Sequence, residues 1–175
     1  MDINAGIGGA DNTAKGKFVI TRVFDAPREL VWKAWTESER LAQWWGPKGF
    51  TMGVVKLDLR PNGVIHYSMR TPDGREMWGK IVYREIAAPE RIVFVNSFSD
   101  AQGNLTRHPL SLTWPLEVLN TLTLSKQEGK TMLTLRGGPI NATEEERKTF
   151  EAGFESMKQG FSGTFDQLAE YLAKA

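Results

Sequence analysis

Residues Thr143–Lys174 read TEEERKTFEAGFESMKQGFSGTFDQLAEYLAK, and this stretch decides the architecture. Thr143 followed by Glu146 has the capping-box form, in which hydroxyl and carboxylate satisfy each other's backbone N–H groups at a helix start. Phe150, Phe154, Met157, Phe161, Phe165, Leu168 and Leu172 then recur three or four apart, one apolar stripe of an α-helix. At 1.5 Å per residue a continuous helix here spans roughly 45–50 Å, enough to lie across a small sheet. Gly153, Gly160 and Gly163 interrupt it. Each weakens a helix by about 1 kcal/mol relative to Ala, so a bend, or close approach of backbone or ligand, is expected there.

Upstream, the chain alternates like β-structure. Phe18, Ile20 and Val23-Phe24 mark a strand that ends at Asp25-Ala26-Pro27. Pro27 and Glu29 suit a first helical turn, and Leu30, Val31, Ala34 and Trp35 follow at helical spacing. Thr36 to Glu39 has capping-box form before Leu41, Trp44 and Trp45, and Gly46-Pro47 ends that second short helix. Strands are then expected over 54–60, 64–70, 76–86, 91–98, 116–125 and 132–136, with Gly137-Gly138-Pro139 ending the last. Turns such as Pro61-Asn62-Gly63, Pro72-Asp73-Gly74 and Glu128-Gly129-Lys130 separate several of them. Tight turns between strands predict an antiparallel meander rather than βαβ units. The fold class is therefore α+β: a curved antiparallel sheet of about six to seven strands, two short helices and a long C-terminal helix.

Composition agrees with one core. A chain of 175 residues, 41% hydrophobic and 25% charged, with six Trp and nine Phe, suits a single domain over 17–175, preceded by a flexible tail at 1–16. No Cys is present, which excludes disulfides, thiolate metal sites and cysteine nucleophiles and points to a cytoplasmic setting. The 22 basic and 21 acidic residues are interspersed, so no nucleic-acid stripe is expected, and no apolar run is long enough for a membrane span.

The order strand, two short helices, meander, long helix resembles the helix-grip fold of the START-like, birch-pollen-allergen-like superfamily (SRPBCC). Within it, Ala26-Pro27-Arg28-Glu29-Leu30-Val31-Trp32-Lys33-Ala34-Trp35-Thr36 with Leu41-Ala42-Gln43-Trp44-Trp45-Gly46-Pro47 resembles the opening of the activator of heat-shock-90 ATPase homologue-like family. Pro72-Asp73-Gly74, Pro89-Glu90-Arg91-Ile92-Val93-Phe94 and Asp166-Gln167-Leu168-Ala169-Glu170-Tyr171-Leu172 extend the likeness from Phe18 to Ala173. Gly160-Phe161 stands where relatives often carry Gly-Trp. The resemblance implies a cavity between helix and sheet, and a family of mixed functions without universal catalytic residues. Self-association is common among its members, so a homodimer is one expectation.

Alternation places Ile65, Tyr67 and Met69 on one sheet face with Met77, Gly79, Ile81 and Tyr83. Phe154, Met157 and Phe161 of the final helix oppose them, and Trp78 and Phe94 complete the aromatic set. Two readings stand: a filled core, or the walls of a site for a small apolar molecule. Tyr67, Asn96, Thr121 and Arg136 are the polar groups that could orient such a ligand, with a solvated position the alternative for Asn96 and Arg136. Trp44 and Trp45 either form a lid or pack the short helices onto the sheet.

Other chemistry lacks its parts. His66 and His108 are the only histidines; alternation turns His66 to solvent, opposite Tyr67, and leaves His108 in a loop, so no metal site is expected. Hydrolase elbow, phosphate loop and dinucleotide fingerprint are absent, and no cofactor is implied. Asp58, Glu76, Glu85 and Glu117 read as a solvated sheet face beside Lys56, Arg60, Lys80 and Arg84, the alternative being one buried carboxylate placed for acid–base work. The leading expectation is a ligand-binding domain; the rivals are a cofactor-independent aromatase or cyclase-type enzyme and a chaperone-regulating interaction module.

Overall fold

Among the described residues, eight strands pair antiparallel in one sheet. The structure, a computed structural model, describes residues 17–109 and 111–175, so the expected tail at 1–16 lies outside the described residues. The elements are β1 (Phe18–Phe24), α1 (Arg28–Thr36), α2 (Ser38–Leu41), β2 (Thr51–Leu57), β3 (Val64–Arg70), β4 (Glu76–Ala87), β5 (Arg91–Ser99), β6 (Leu105–Thr106), β7 (Glu117–Gln127), β8 (Lys130–Ile140), α3 (Glu144–Ala152) and α4 (Phe154–Lys174). The sheet order is β1-β8-β7-β5-β4-β3-β2, with the short β6 added beside β5, and this is the helix-grip arrangement. Register shifts between Val54 and Lys56 and between Tyr83 and Glu85 are bulges, which bend and twist a strand.

Two local expectations need correction. Thr36 does not cap α2: it is the last residue of α1, and its hydroxyl donates back to the Trp32 carbonyl at 2.8 Å. Gly137-Gly138-Pro139 does not end β8 but lies within it. Among the described residues, the pairing of β8 with β1 stops at Gly137, so Pro139 lies near the end of that ladder, where a proline is more readily accommodated. The interruption expected at the helix glycines occurs at Gly153, whose φ of −91° and ψ of 3° leave the helical region. A Cβ there would lie 3.2 Å from Cζ3 of Trp114, so the break coincides with a close approach.

The capping box forms as expected. Glu146 N–H donates to Thr143 Oγ1 at 3.1 Å, and Thr143 N–H donates to Glu146 Oε1 at 2.9 Å. Arg107, on the segment between β6 and β7, pairs with the same carboxylate, and Thr149 Oγ1 donates to Thr113 Oγ1 at 2.9 Å. The segment around Trp114 is thereby strapped to α3. The Arg107 guanidinium first, then the Thr143 N–H, hold the Glu146 carboxyl below its ordinary 4.5. A depressed carboxyl stabilises the fold above its unfolded value and loses that contribution as pH falls through the lower folded value. Thermal melts between pH 6 and about 3 should therefore show a shallower acid decline in Glu146→Gln than in the wild type, and parallel curves would contradict the pairing.

The core divides in two. Phe24, Val31, Trp35, Trp44, Leu122, Leu133, Phe165 and Leu168 belong to the larger cluster under α1 and the C-terminal half of α4. Phe18, Val118 and Phe150 form a smaller one with Trp114, Phe154 and Met157 against it, and Phe161 packs on both. The space between the clusters is where the candidate site lies.

Candidate functional site

A cavity lies between the concave sheet face and α4, in two adjoining lobes of about 360 and 380 Å³. Trp45, Asn96, Phe98, Trp114, Val118, Met157 and Phe161 wall both. The first lobe adds Gly46 and Pro47, Tyr67, Met69, Met77 and Gly79 from β3 and β4, and Gly160 and Thr164 of α4. The second adds Phe94, His108, Asn120, Leu135 and Phe150. Exposed Pro47 and Gly160 mark the mouth of the first lobe.

The strands aim these side chains by register. Tyr67 stands opposite Gly79, Met69 opposite Met77, and Gly79 opposite Phe98 in turn. Two strand glycines make room for inward polar groups. A Cβ on Gly79 would meet the Tyr67 ring at 2.4 Å, and one on Gly137 would meet Asn120 Oδ1 at 2.4 Å. Asn120, which is 8% exposed, donates its Nδ2 to Asn96 Oδ1 at 3.2 Å and to the Val118 carbonyl at 3.2 Å. Burial pushes the Tyr67 phenol up to about 12; the Trp45 indole N–H beside it pulls the other way, in a geometry too poor for a well-formed hydrogen bond. At neutral pH Tyr67 is therefore a fixed neutral donor within an apolar wall.

Of the sequence-derived candidates, Tyr67, Met69, Phe94, Asn96, Met157 and Phe161 line the cavity. Trp78 borders it, but strand alternation sends its indole to the opposite face, where it stacks on His66 with ring centroids 5.0 Å apart. His66 is half-buried by that stacking, and its Nε2 lies 3.1 Å from the Asp100 carbonyl oxygen, so it is not simply solvated. Three candidates do not reach the cavity. Trp44 is 1% exposed and donates its Nε1 to the Ala34 carbonyl at 3.0 Å, inside the larger core cluster. Arg136 is exposed, because Leu135 and Gly137 take the inward phase of β8 and Arg136 pairs with Thr121 on the other face. Phe154 turns into the smaller cluster, 6.0 Å from the Phe18 ring and 5.6 Å from that of Phe150.

The lid reading of the tryptophan turn is also revised. Gly46 carbonyl accepts from Thr164 Oγ1 at 3.0 Å and from Gln167 Nε2 at 2.7 Å, which pins the turn to α4 as a fixed wall. Sequence reasoning missed Phe98, Trp114, Val118 and Asn120. Val118, Leu122 and Leu124 set the inward phase of β7, so the signal for Asn120 was present; Trp114 sits in irregular chain with no period to read. Asp58, Glu76 and Glu85 pair at the surface with Arg60, Arg70 and Arg91, and among the described residues no three His, Asp or Glu side chains gather as a metal site. No described helix is long and apolar enough to cross a membrane.

Comparison with known proteins fits this geometry. Protein Ms6760 from Mycobacterium smegmatis is 26% identical, with a TM-score of 0.72 over 89% of this chain and 90% of its own. A protein from Arthrobacter aurescens is 25% identical, with a TM-score of 0.76 over 91% and 87%. The AHSA1 protein of Silicibacter pomeroyi, 17% identical with a TM-score of 0.68 over 90% and 97%, shares the fold. No curated protein matches the chain. Residues 25–173 match the Activator of Hsp90 ATPase homolog 1-like family, and the chain belongs to it.

Proposed function

We propose that this chain binds a small hydrophobic or aromatic molecule between the sheet and α4, as a cytoplasmic binding domain. The observation that carries the reading is the cavity itself: two lobes of about 360 and 380 Å³ walled mainly by Trp45, Phe98, Trp114, Met157 and Phe161. Its size and its few polar groups suit a drug-sized apolar ligand. Tyr67 and the Asn96–Asn120 pair supply orientation. A phenol held near 12 is poorly matched to moving protons at neutral pH, which favours binding over the aromatase or cyclase alternative. Exposed large apolar residues among those described are Val23 on β1, Leu59 after β2, and Leu105 and Leu112 on the β5–β7 connection, spread over three stretches of chain, which gives little support to an interaction module. A homodimer would use the sheet edges at β1 or β2 rather than the cavity.

A thermal-shift panel of fatty acids, polycyclic aromatics and sterols tests this. A ligand at about 100 times its Kd adds roughly 2.7 kcal/mol, a shift of several degrees for a chain of this size. A saturable shift from one class is the expected result; a flat panel over a cooperative melt would argue for an interaction surface instead.

A further inference from the structure

Behind the main cavity lies a third chamber of about 20 Å³, walled by Trp35, Leu41, Trp45, Ile65, Ile81, Tyr83, Ile92 and Phe94. Trp45 is shared with both lobes and Phe94 with the second, so the chamber adjoins the main cavity at these two rings. Trp35 Nε1 and Tyr83 Oη are both buried without a hydrogen-bond partner, while the Trp45 N–H lies beside the Tyr67 phenol of the first lobe. Trp35 is 5% and Tyr83 2% exposed, and the Trp35 and Trp45 rings lie 5.6 Å apart at 70°. Two unpaired buried polar groups on the wall of one small void are a costly arrangement.

The donor set selects what the void would take. The volume accommodates about one oxygen atom's worth of matter. The remaining wall is hydrocarbon, so the phenol oxygen is the one side-chain acceptor there. A water could accept from the Trp35 indole and donate to Tyr83, but its other hydrogen would stay unpaired. A carboxylate would be buried with no cation in the wall. A neutral carbonyl oxygen only accepts, and its two lone pairs match the indole and phenol hydrogens. Burial raises the Tyr83 phenol, which keeps that hydrogen in place at neutral pH.

We propose that this inner chamber is a recognition subsite for the carbonyl oxygen of an otherwise apolar ligand, whose body rests in the main cavity. The proposal deepens the binding reading and rests on it. The test is a titration with fluorene and 9-fluorenone, a pair alike in shape that differ by one C=O. In a purely apolar cavity the ketone loses its hydration without return, and fluorene binds tighter. With the subsite, wild-type protein should prefer fluorenone by about tenfold, as expected for a ketone that meets waiting donors. Tyr83→Phe and Trp35→Phe should each move the ratio toward one, and the carbonyl stretch of bound fluorenone should rise in frequency in both.

If both compounds bind and fluorene is equal or tighter, the subsite is wrong while the cavity reading stands. A fluorenone preference that survives both substitutions unchanged places the carbonyl elsewhere and also overturns the proposal. If neither compound binds, the subsite falls together with the apolar-cavity reading.

Discussion

Replacing Trp44 by Ala should cost about 3–5 kcal/mol of stability, the usual range for deleting a large buried aromatic, because the site is locked on all sides. The indole is 1% exposed and packs edge-on against Trp35 at 4.8 Å and Trp45 at 5.6 Å. Its Nε1 satisfies the Ala34 carbonyl, and its own backbone carbonyl accepts from Gln167, so the turn joins α1 to α4. Collapse to fill the gap would have to drag that turn away from two helices. Urea unfolding measures the loss, and a change below about 1 kcal/mol would place Trp44 at the surface after all. Trp44→Phe should recover most of the packing and leave roughly the 1 kcal/mol of one hydrogen bond.

Met157→Trp should behave in the opposite way, with little loss of stability and a large loss of ligand. Met157 walls both lobes and is half-buried. A larger side chain there has empty space to enter, so unfolding should shift by less than the roughly 1–3 kcal/mol of an overpacked core. The indole would occupy volume the ligand needs, and uptake of any hit from the thermal-shift panel should fall at least about tenfold, or ~1.4 kcal/mol. Marked destabilisation with unchanged uptake would mean that position 157 faces filled core.

Most of the fold was legible along the chain because its determinants are local. The Phe150 to Leu172 stripe, the Thr143–Glu146 box and the glycine-bearing turns each act within a few residues, and each reappears in space. Alternation also oriented β3 correctly, with Tyr67 inward, since a period of two leaves little freedom once Ile65 is buried. Where a polar residue interrupts an apolar phase the same rule still worked but was harder to see. Leu133 and Leu135 already turn Arg136 outward, and Val118 and Leu122 already turn Asn120 inward. The neighbours Trp44 and Trp45 were beyond it, because they sit in an irregular turn where one enters the core and the other the cavity wall.

The amino-acid sequence by itself determined the α+β class, the order of elements and the family, through periodicities and caps that need no knowledge of distant neighbours. Only the tertiary structure decided that the two core clusters leave a cavity between them, and that two buried polar groups, Trp35 Nε1 and Tyr83 Oη, border its inner chamber unpaired. A void is the difference between the volume that packed elements enclose and the volume their side chains fill. That difference depends on where β-bulges, the break at Gly153 and the pinned Gly46 turn set the helix relative to the sheet.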